Sequence, residues 1–390
     1  MPILVYVLGL AVFAQGTSEF MLSGLLPGVA GDLDVSIARA GLLSSAFALG
    51  MAVGAPIMAA TSARWPRRRA LVLFLSVFVV MHLVGATTAS FGVLLVTRIV
   101  AAFANAGFWA VALTTAVAAV EERHRARAIA IVVGGVTVAC IAGVPAGAVL
   151  GQALGWRSAF WAVALVSLPA VVAILRTVPS AATGVGLPRV TREFRALHRP
   201  GVLLTLAFGV LVQGGTFCTL TYLAPLVTEI TGLSERAVPI MLVLFGVGSF
   251  VGVTLAGRIG DELRVRVMFV GTALLVLGWA VLGLLAGNVV AAAVLVSALG
   301  VVSFGTGSAL ISRVMQVARD APNLAGSFAT AAFNTGATLG PWLGGEALAA
   351  GFGYRSPVWV SAGLAVVAFG IAAGWRVHER RTAGRTALRR

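Results

Sequence analysis

Apolar runs of about 20 residues, each long enough to cross the hydrocarbon core of a bilayer as a helix, recur along the whole of this 390-residue chain. No other feature restricts the fold as strongly. A backbone in lipid must pair its own N–H and C=O groups, and a helix does so within one segment. The runs fall near residues 4–29, 37–61, 70–88, 92–119, 128–151, 158–176, 202–226, 236–257, 267–286, 289–311, 324–346 and 357–376. They predict an all-α membrane protein of twelve transmembrane helices. Composition points the same way, with 59% hydrophobic and 11% charged residues, against about 25% charged in a soluble domain. The first run is longer than a signal-peptide core and has no small-residue cleavage site, so it is expected to stay in the protein.

All 28 basic residues are Arg, and their placement predicts topology. Connections after even-numbered runs, together with the tail, hold 23 of them, including Arg64, Arg67, Arg68 and Arg69; the opposite connections hold four, Arg39, Arg157, Arg236 and Arg355. The positive-inside rule then puts both termini in the cytoplasm of a plasma (inner) membrane protein. The formal charge of +15 reads as this topology rather than as nucleic-acid binding, because the Arg residues lie between apolar segments and not on one soluble face.

Without Lys, a phosphate-binding G-x-x-x-x-G-K-[ST] loop cannot be written, and H-E-x-x-H, G-x-S-x-G and G-x-G-x-x-G are also missing. The four His are scattered at His82, His124, His198 and His378. No enzyme activity, metal or cofactor is expected. Cys140 and Cys218 both sit in apolar runs and form no disulfide framework.

The longest connection, residues 178–200, carries Pro179, Pro188 and Pro200 around the basic stretch RVTREFRALHR. It separates residues 1–177 from residues 201–376, six runs each, with residues 377–390 as a basic tail. It reads as a cytoplasmic linker, either touching lipid headgroups or simply solvated. The halves repeat at an offset of 198: Gln15-Gly16 aligns with Gln213-Gly214, Pro27 with Pro225, Ser36 with Ser234, and Phe47, Gly50 and Gly54 with Phe245, Gly248 and Gly252. Two six-helix bundles duplicated in parallel are the arrangement of a rocker-type secondary transporter.

Inside the runs, strong charge is rare. Glu19 and Arg98 are the deep exceptions, and a charge at the bilayer centre costs about 2.5–3.5 kcal/mol on insertion scales. A structural ion pair and a snorkelling side chain are open readings; proton coupling is the one favoured here. Burial favours the neutral form of a carboxylate and a nearby Arg the ionised form, so an acid close to Arg98 without being locked to it suits a proton carrier. Gln15, Glu19 and Ser23 share one helical face, and Arg98, Asn105 and Trp109 another. Together they predict a polar, substrate-binding cavity with one aromatic wall. Trp109 could equally face lipid or core, and Asn105 could bridge helices. Gln213, Phe217, Tyr222 and Asn334 are the second-half candidates for the same cavity. His82 reads first as a side chain hydrogen-bonded to a neighbouring helix and second as another titrating site.

The fifth run contains GVTVACIAGVPAGAVLG, with Gly135, Ala139, Gly143, Gly147 and Gly151 four apart and Pro145 among them; the eleventh repeats this at Ala332, Gly336, Gly340 and Gly344 with Pro341. Such stripes allow close helix contact. Packing alone would explain them, as would helices that slide and bend during transport.

These residues resemble the major facilitator superfamily over the whole chain, and within it the twelve-span drug/proton antiporter family. GVPAG at Gly143 to Gly147 is similar to that family's fifth-span antiporter motif, and LLVTRIVAAFANAG around Arg98 to its fourth-span motif. The resemblance implies proton coupling at Arg98 and Glu19. AQGTSEFMLSGLLP, DLDVSIARAGLLSSAFALGMAVGAP and GWRSAFWAVA further resemble the chloramphenicol-efflux branch, which implies export of a small, neutral, amphipathic drug by a monomeric antiporter. The family's loop after the second span, G-x-L-a-D-R-x-G-R-R, is altered: Ala63 replaces its Asp and both Gly are changed, while Arg64 and Arg68 remain as gating candidates. Export of a sugar, nucleoside or endogenous metabolite is the alternative. A non-transporting membrane sensor is the remote one and would be expected to carry a soluble signalling domain.

Overall fold

Helices carry nearly all of the chain, as a backbone surrounded by hydrocarbon requires. The protein is described by a computed structural model covering residues 1–62, 65–178, 200–259, 261–318 and 324–387. Arg64, most of the 178–200 linker and the basic side chains of the tail lie outside the described residues. In chain order, α1 is Ile3–Phe20 continued by Leu22–Asp32, α2 is Ile37–Ser62, α3 is Arg67–Thr87 and α4 is Phe91–Ala118. Then α5 runs from Arg125–Val138 through a π turn at Ala139–Gly143 into Val144–Leu154, and α6 is Arg157–Thr177. The second half holds α7 (Pro200–Thr221), α8 (Val238–Gly257), α9 (Asp261–Leu285), α10 (Val289–Val317), α11 (Leu324–Ala349) and α12 (Ser356–Ala387). Among the described residues, 11 helices are long and apolar enough to cross a membrane. Helix α11 is not one of the 11, since Gly, Thr, Ser and Asn dilute its hydropathy.

Interruptions occur where the sequence weakens the backbone ladder. Helix α1 breaks at Met21, six residues before Pro27. The π turn of α5 immediately precedes Pro145, whose missing N–H leaves a carbonyl without its usual donor. After α7 ends at Thr221, the chain continues through Leu223–Pro225 into a π turn at Leu226–Ile230.

The 198-residue repeat has a local counterpart in the caps. Ser90 accepts from the Val93 N–H at the start of α4, and Asn288, 198 positions later, accepts from the Ala291 N–H at the start of α10. Gly155 and Gly353 both have positive φ, 81° and 75°, which glycine tolerates without strain. They introduce the matching tetrapeptides GWRS and GYRS. In each, the Arg reaches the carbonyl end of the third helix of its half: Arg157 donates to the Thr88 carbonyl at 3.0 Å, and Arg355 to the Gly283 carbonyl at 3.3 Å. Arg157 and the Trp156 indole N–H also donate to Asp32 at the end of α1, and these bonds, Arg157's first, hold the Asp32 carboxyl below the usual carboxylate range.

Two large apolar clusters form, one almost wholly from residues 4–178 and the other mainly from residues 208–368. The small-residue stripes make their contacts within these units. On α5, Gly135 faces the Gly9 carbonyl, Ala139 faces Gly16 and Gly143 faces the Thr17 hydroxyl; on α11, Gly336 faces the Val210 carbonyl and Gly340 the Gly214 carbonyl. Each stripe thus lies against the first helix of its own half. Between the halves, Phe20 stacks on Phe217 with centroids 5.4 Å apart, Ser45 donates to the Thr338 carbonyl at 2.9 Å, and the Gln152 amide to the Glu235 carbonyl at 2.6 Å. These contacts all lie beyond the helix midpoints, toward the ends away from the chain termini.

A Cβ on Gly340 would run into the backbone of α7, whereas Gly363 on α12 faces open space. Gly340→Val is expected to cost about 1–3 kcal/mol by overpacking and to lower the thermal unfolding midpoint of the purified protein; Gly363→Ala should change stability by less than about 0.5 kcal/mol. Similar midpoints for the two variants would contradict the packing. For Asp32, a depressed carboxyl stabilises the fold above its unfolded-state pKa and loses that contribution as pH falls through the folded value. With a side chain 45% exposed, the effect is at most about 1 kcal/mol. Wild type should therefore exceed Asp32→Asn in thermal stability at pH 7, with the difference shrinking as pH falls below the ordinary Asp value of about 4.

Candidate polar site between α1, α3 and α4

Arg98 is 1% exposed, and its charge must be compensated by protein groups, since removing a guanidinium from water costs several kcal/mol. Its position on α4 opposite the middle of α1 brings it to Ser18. Nη1 donates to Ser18 Oγ at 2.8 Å and Nη2 to the Ser18 carbonyl at 2.9 Å. That carbonyl is free for a side chain because α1 breaks three residues on, at Met21. The guanidinium carbon lies 4.3 Å from the Phe47 ring centroid on α2 and 6.0 Å from that of Phe160 on α6. Such a desolvated cation–π contact contributes about 2 kcal/mol. Ser18 Oγ is also 2.6 Å from Nε2 of His82 on α3, whose Nδ1 lies 2.7 Å from the Phe78 carbonyl.

Glu19 follows Ser18 but points about 100° away around α1 and is half-buried rather than enclosed. It makes no ion pair within 4.0 Å of Arg98, although the two charges lie within coulombic reach of each other. A half-buried acid without an ion pair thus sits beside a cation held by neutral groups.

The other predicted site residues divide into enclosed and accessible groups. Gln15 and Asn105 are both 0% exposed, and neither amide has a hydrogen-bond partner; Arg98 Nε is likewise unpaired. Ser23 is buried, and Trp109 is half-buried against the first-half core. Gln213 is half-buried on α7 beside Gly307 of α10. Phe217 meets Phe20 across the halves. Tyr222 donates to the Pro341 carbonyl at 2.8 Å and packs against Gly41 of α2. Asn334 donates to Thr330 within its own helix at 3.0 Å. Arg68 lies apart from all of these, on a cavity of about 890 Å³ with Trp65 and Leu175 at the ends of α3 and α6.

Ser18, Phe47 and Phe20 did not emerge from sequence reasoning. A signal for Ser18 existed: the 15/19/23 face assigned to α1 excludes position 18, yet i and i+3 also adjoin on a helix, and a buried Arg on α4 needs an acceptor. Phe47 stood out in the sequence only as a repeat position, with no sign that its ring would face Arg98.

The model described as Major Facilitator Superfamily matches residues 8–321 and 207–390. Over 379 residues the chain is 48% identical to the chloramphenicol resistance protein of Streptomyces lividans, covering 96% of this chain and 97% of that one. It is 35% identical over 363 residues to the inner membrane transport protein YdhP of Escherichia coli strain K12, covering 92% and 93%. Among solved structures, a bacterial homologue of the human lysosomal transporter Spinster, in an inward-facing and occupied conformation, superposes with TM-score 0.74 at 18% identity, covering 94% and 95% of the two chains.

If Ser18 holds Arg98, Ser18→Ala leaves Nη1 unpaired in the interior, a loss of about 1–3 kcal/mol. The unfolding midpoint of purified Ser18→Ala should fall well below wild type, while Ser18→Thr, which keeps the hydroxyl, should stay within a few degrees.

Proposed function

The chain belongs to the Major Facilitator Superfamily and to its chloramphenicol-efflux branch, and from that premise we propose that it is a proton-coupled exporter of chloramphenicol or a closely related neutral, amphipathic drug. It is a membrane transporter rather than an enzyme. In this reading α11 is a further span, bringing the total to twelve. The spans form two pseudo-symmetric six-helix bundles, residues 1–177 and 201–376, with both termini in the cytoplasm of the plasma membrane and with the protein working as a monomer.

The observation that carries the proton-coupled part is the arrangement at α1 and α4: Arg98 is buried on Ser18, and Glu19 is half-buried next to it with no ion pair. An acid that is neither fully desolvated nor locked to the cation can take up a proton and release it again. Contacts between the halves toward the ends away from the termini fit a state open to the cytoplasm, in which drug enters from that side or from the inner leaflet. Rocking of one bundle on the other then exposes the site outside, where Glu19 is protonated for the return. A proton descending 100 mV releases about 2.3 kcal/mol, which sustains roughly a fortyfold gradient of an uncharged drug.

Everted vesicles containing wild-type protein should release protons when chloramphenicol is added, and cells expressing it should resist the drug. Glu19→Gln at equal membrane abundance is expected to abolish both; undiminished proton release and resistance in that variant would remove Glu19 from the mechanism. A panel that adds sugars and nucleosides to the vesicle assay separates drug export from the export of metabolites.

A further inference from the structure

We propose that His82 is a positioning residue for Arg98, acting through the Ser18 hydroxyl as a neutral hydrogen-bond acceptor; this rests on the reading of Arg98 as part of proton coupling. The pairing fixes the state of each atom. His82 Nδ1 lies 2.7 Å from the Phe78 carbonyl, and a carbonyl oxygen only accepts, so Nδ1 carries the hydrogen. A neutral imidazole has one N–H, which leaves Nε2, 2.6 Å from Ser18 Oγ, as the acceptor. Arg98 Nη1 donates to the same Oγ at 2.8 Å and can do nothing else. One arrangement satisfies all three groups: Ser18 turns its hydrogen to His82 and a lone pair to Arg98.

An imidazolium would reverse this. Its Nε2–H would face the serine oxygen and drive the serine hydrogen elsewhere, and a second cation would stand beside Arg98, both side chains being buried. The groups facing His82 are Ser18 from α1, with Glu19 next to it in the chain, Arg98 from α4, Phe160 from α6 at 5.7 Å between ring centroids, and Phe78 on its own helix at 4.1 Å. An apolar side chain could fill the space between the two Phe rings. What it could not do is accept from Ser18. Without that acceptor the hydroxyl is free to rotate, Nη1 loses its fixed lone pair, and the guanidinium can turn toward the Glu19 carboxylate and favour its ionised form. The neutral histidine thus keeps the cation on Ser18 and leaves the acid free.

Two substitutions of His82, combined with changes at Arg98 and Ser18, test this. His82→Leu fills the space without an acceptor, and His82→Gln puts an amide oxygen near the place of Nε2. In everted vesicles, His82→Leu is expected to move the pH midpoint of chloramphenicol-dependent proton release about one unit toward acid, a tenfold change in proton affinity, with His82→Gln close to wild type. In the purified protein, thermal midpoints of His82→Leu, Arg98→Gln and the double variant should be non-additive, and the non-additivity should disappear in a Ser18→Ala background. A His82→Leu profile that matches wild type, additive midpoints, or His82→Leu and His82→Gln displaced equally would each overturn the proposal. If wild-type vesicles release no protons with chloramphenicol, the transport reading fails on its own. The thermal cycle still decides whether His82 holds Arg98, coupling that needs Ser18 upholding it and additivity overturning it.

Discussion

In a bilayer core no water pairs with a stranded polar group, and both the architecture and the site follow from that constraint. The backbone meets it with helices. Where α1 falters at Met21, a neighbouring side chain uses the freed atom: the Ser18 carbonyl receives Arg98. Arg98 meets the same constraint with a side chain. Two hydrogen bonds to one serine and the face of Phe47 replace its hydration, so that its charge is tolerated without a bound carboxylate. Among the described residues, Gln15 and Asn105 are exceptions, closed off from solvent with unpaired amides, as are Arg98 Nε and the hydroxyls of Ser303 and Ser356.

Close packing supplies the frame that makes this geometry rigid. Without a hydrophobic drive between helices in lipid, contact comes from van der Waals fit, and glycine lets backbones meet. The stripe on α5 fits onto α1, the helix that presents Ser18 and Glu19, while the equivalent stripe on α11 fits onto α7. Contacts between the halves mix hydrogen bonds, Ser45 to Thr338 and Gln152 to Glu235, with close packing: Gly246 of α8 meets the Cys140 carbonyl of α5, and Gly41 of α2 meets Tyr222.

Much of this was legible in advance because lipid imposes a long, simple code. Apolar runs located the helices, and α11 alone departs from the simple rule because packing against α7 requires the small residues that lower its hydropathy. The offset of 198 was visible at Gln15 and Gln213; its clearest instances, GWRS with GYRS and Ser90 with Asn288, gain their meaning only once each Arg is seen on a helix end and each polar residue as a cap. Arg157 counted as one of four scarce Arg in the sequence, and in the structure it ties α1, α3 and α6 together.

The sequence by itself determined an all-helical membrane transporter built on a repeat, with Glu19 and Arg98 as the charges to explain, because hydropathy period, Arg placement and motif spacing are local properties of the chain. Tertiary structure alone decided what holds Arg98. Whether a guanidinium finds a carboxylate, a hydroxyl or an aromatic face depends on the rotation of α1, α2, α3 and α4 against one another. A difference of 100° around α1 is what places Ser18, and not Glu19, under Arg98.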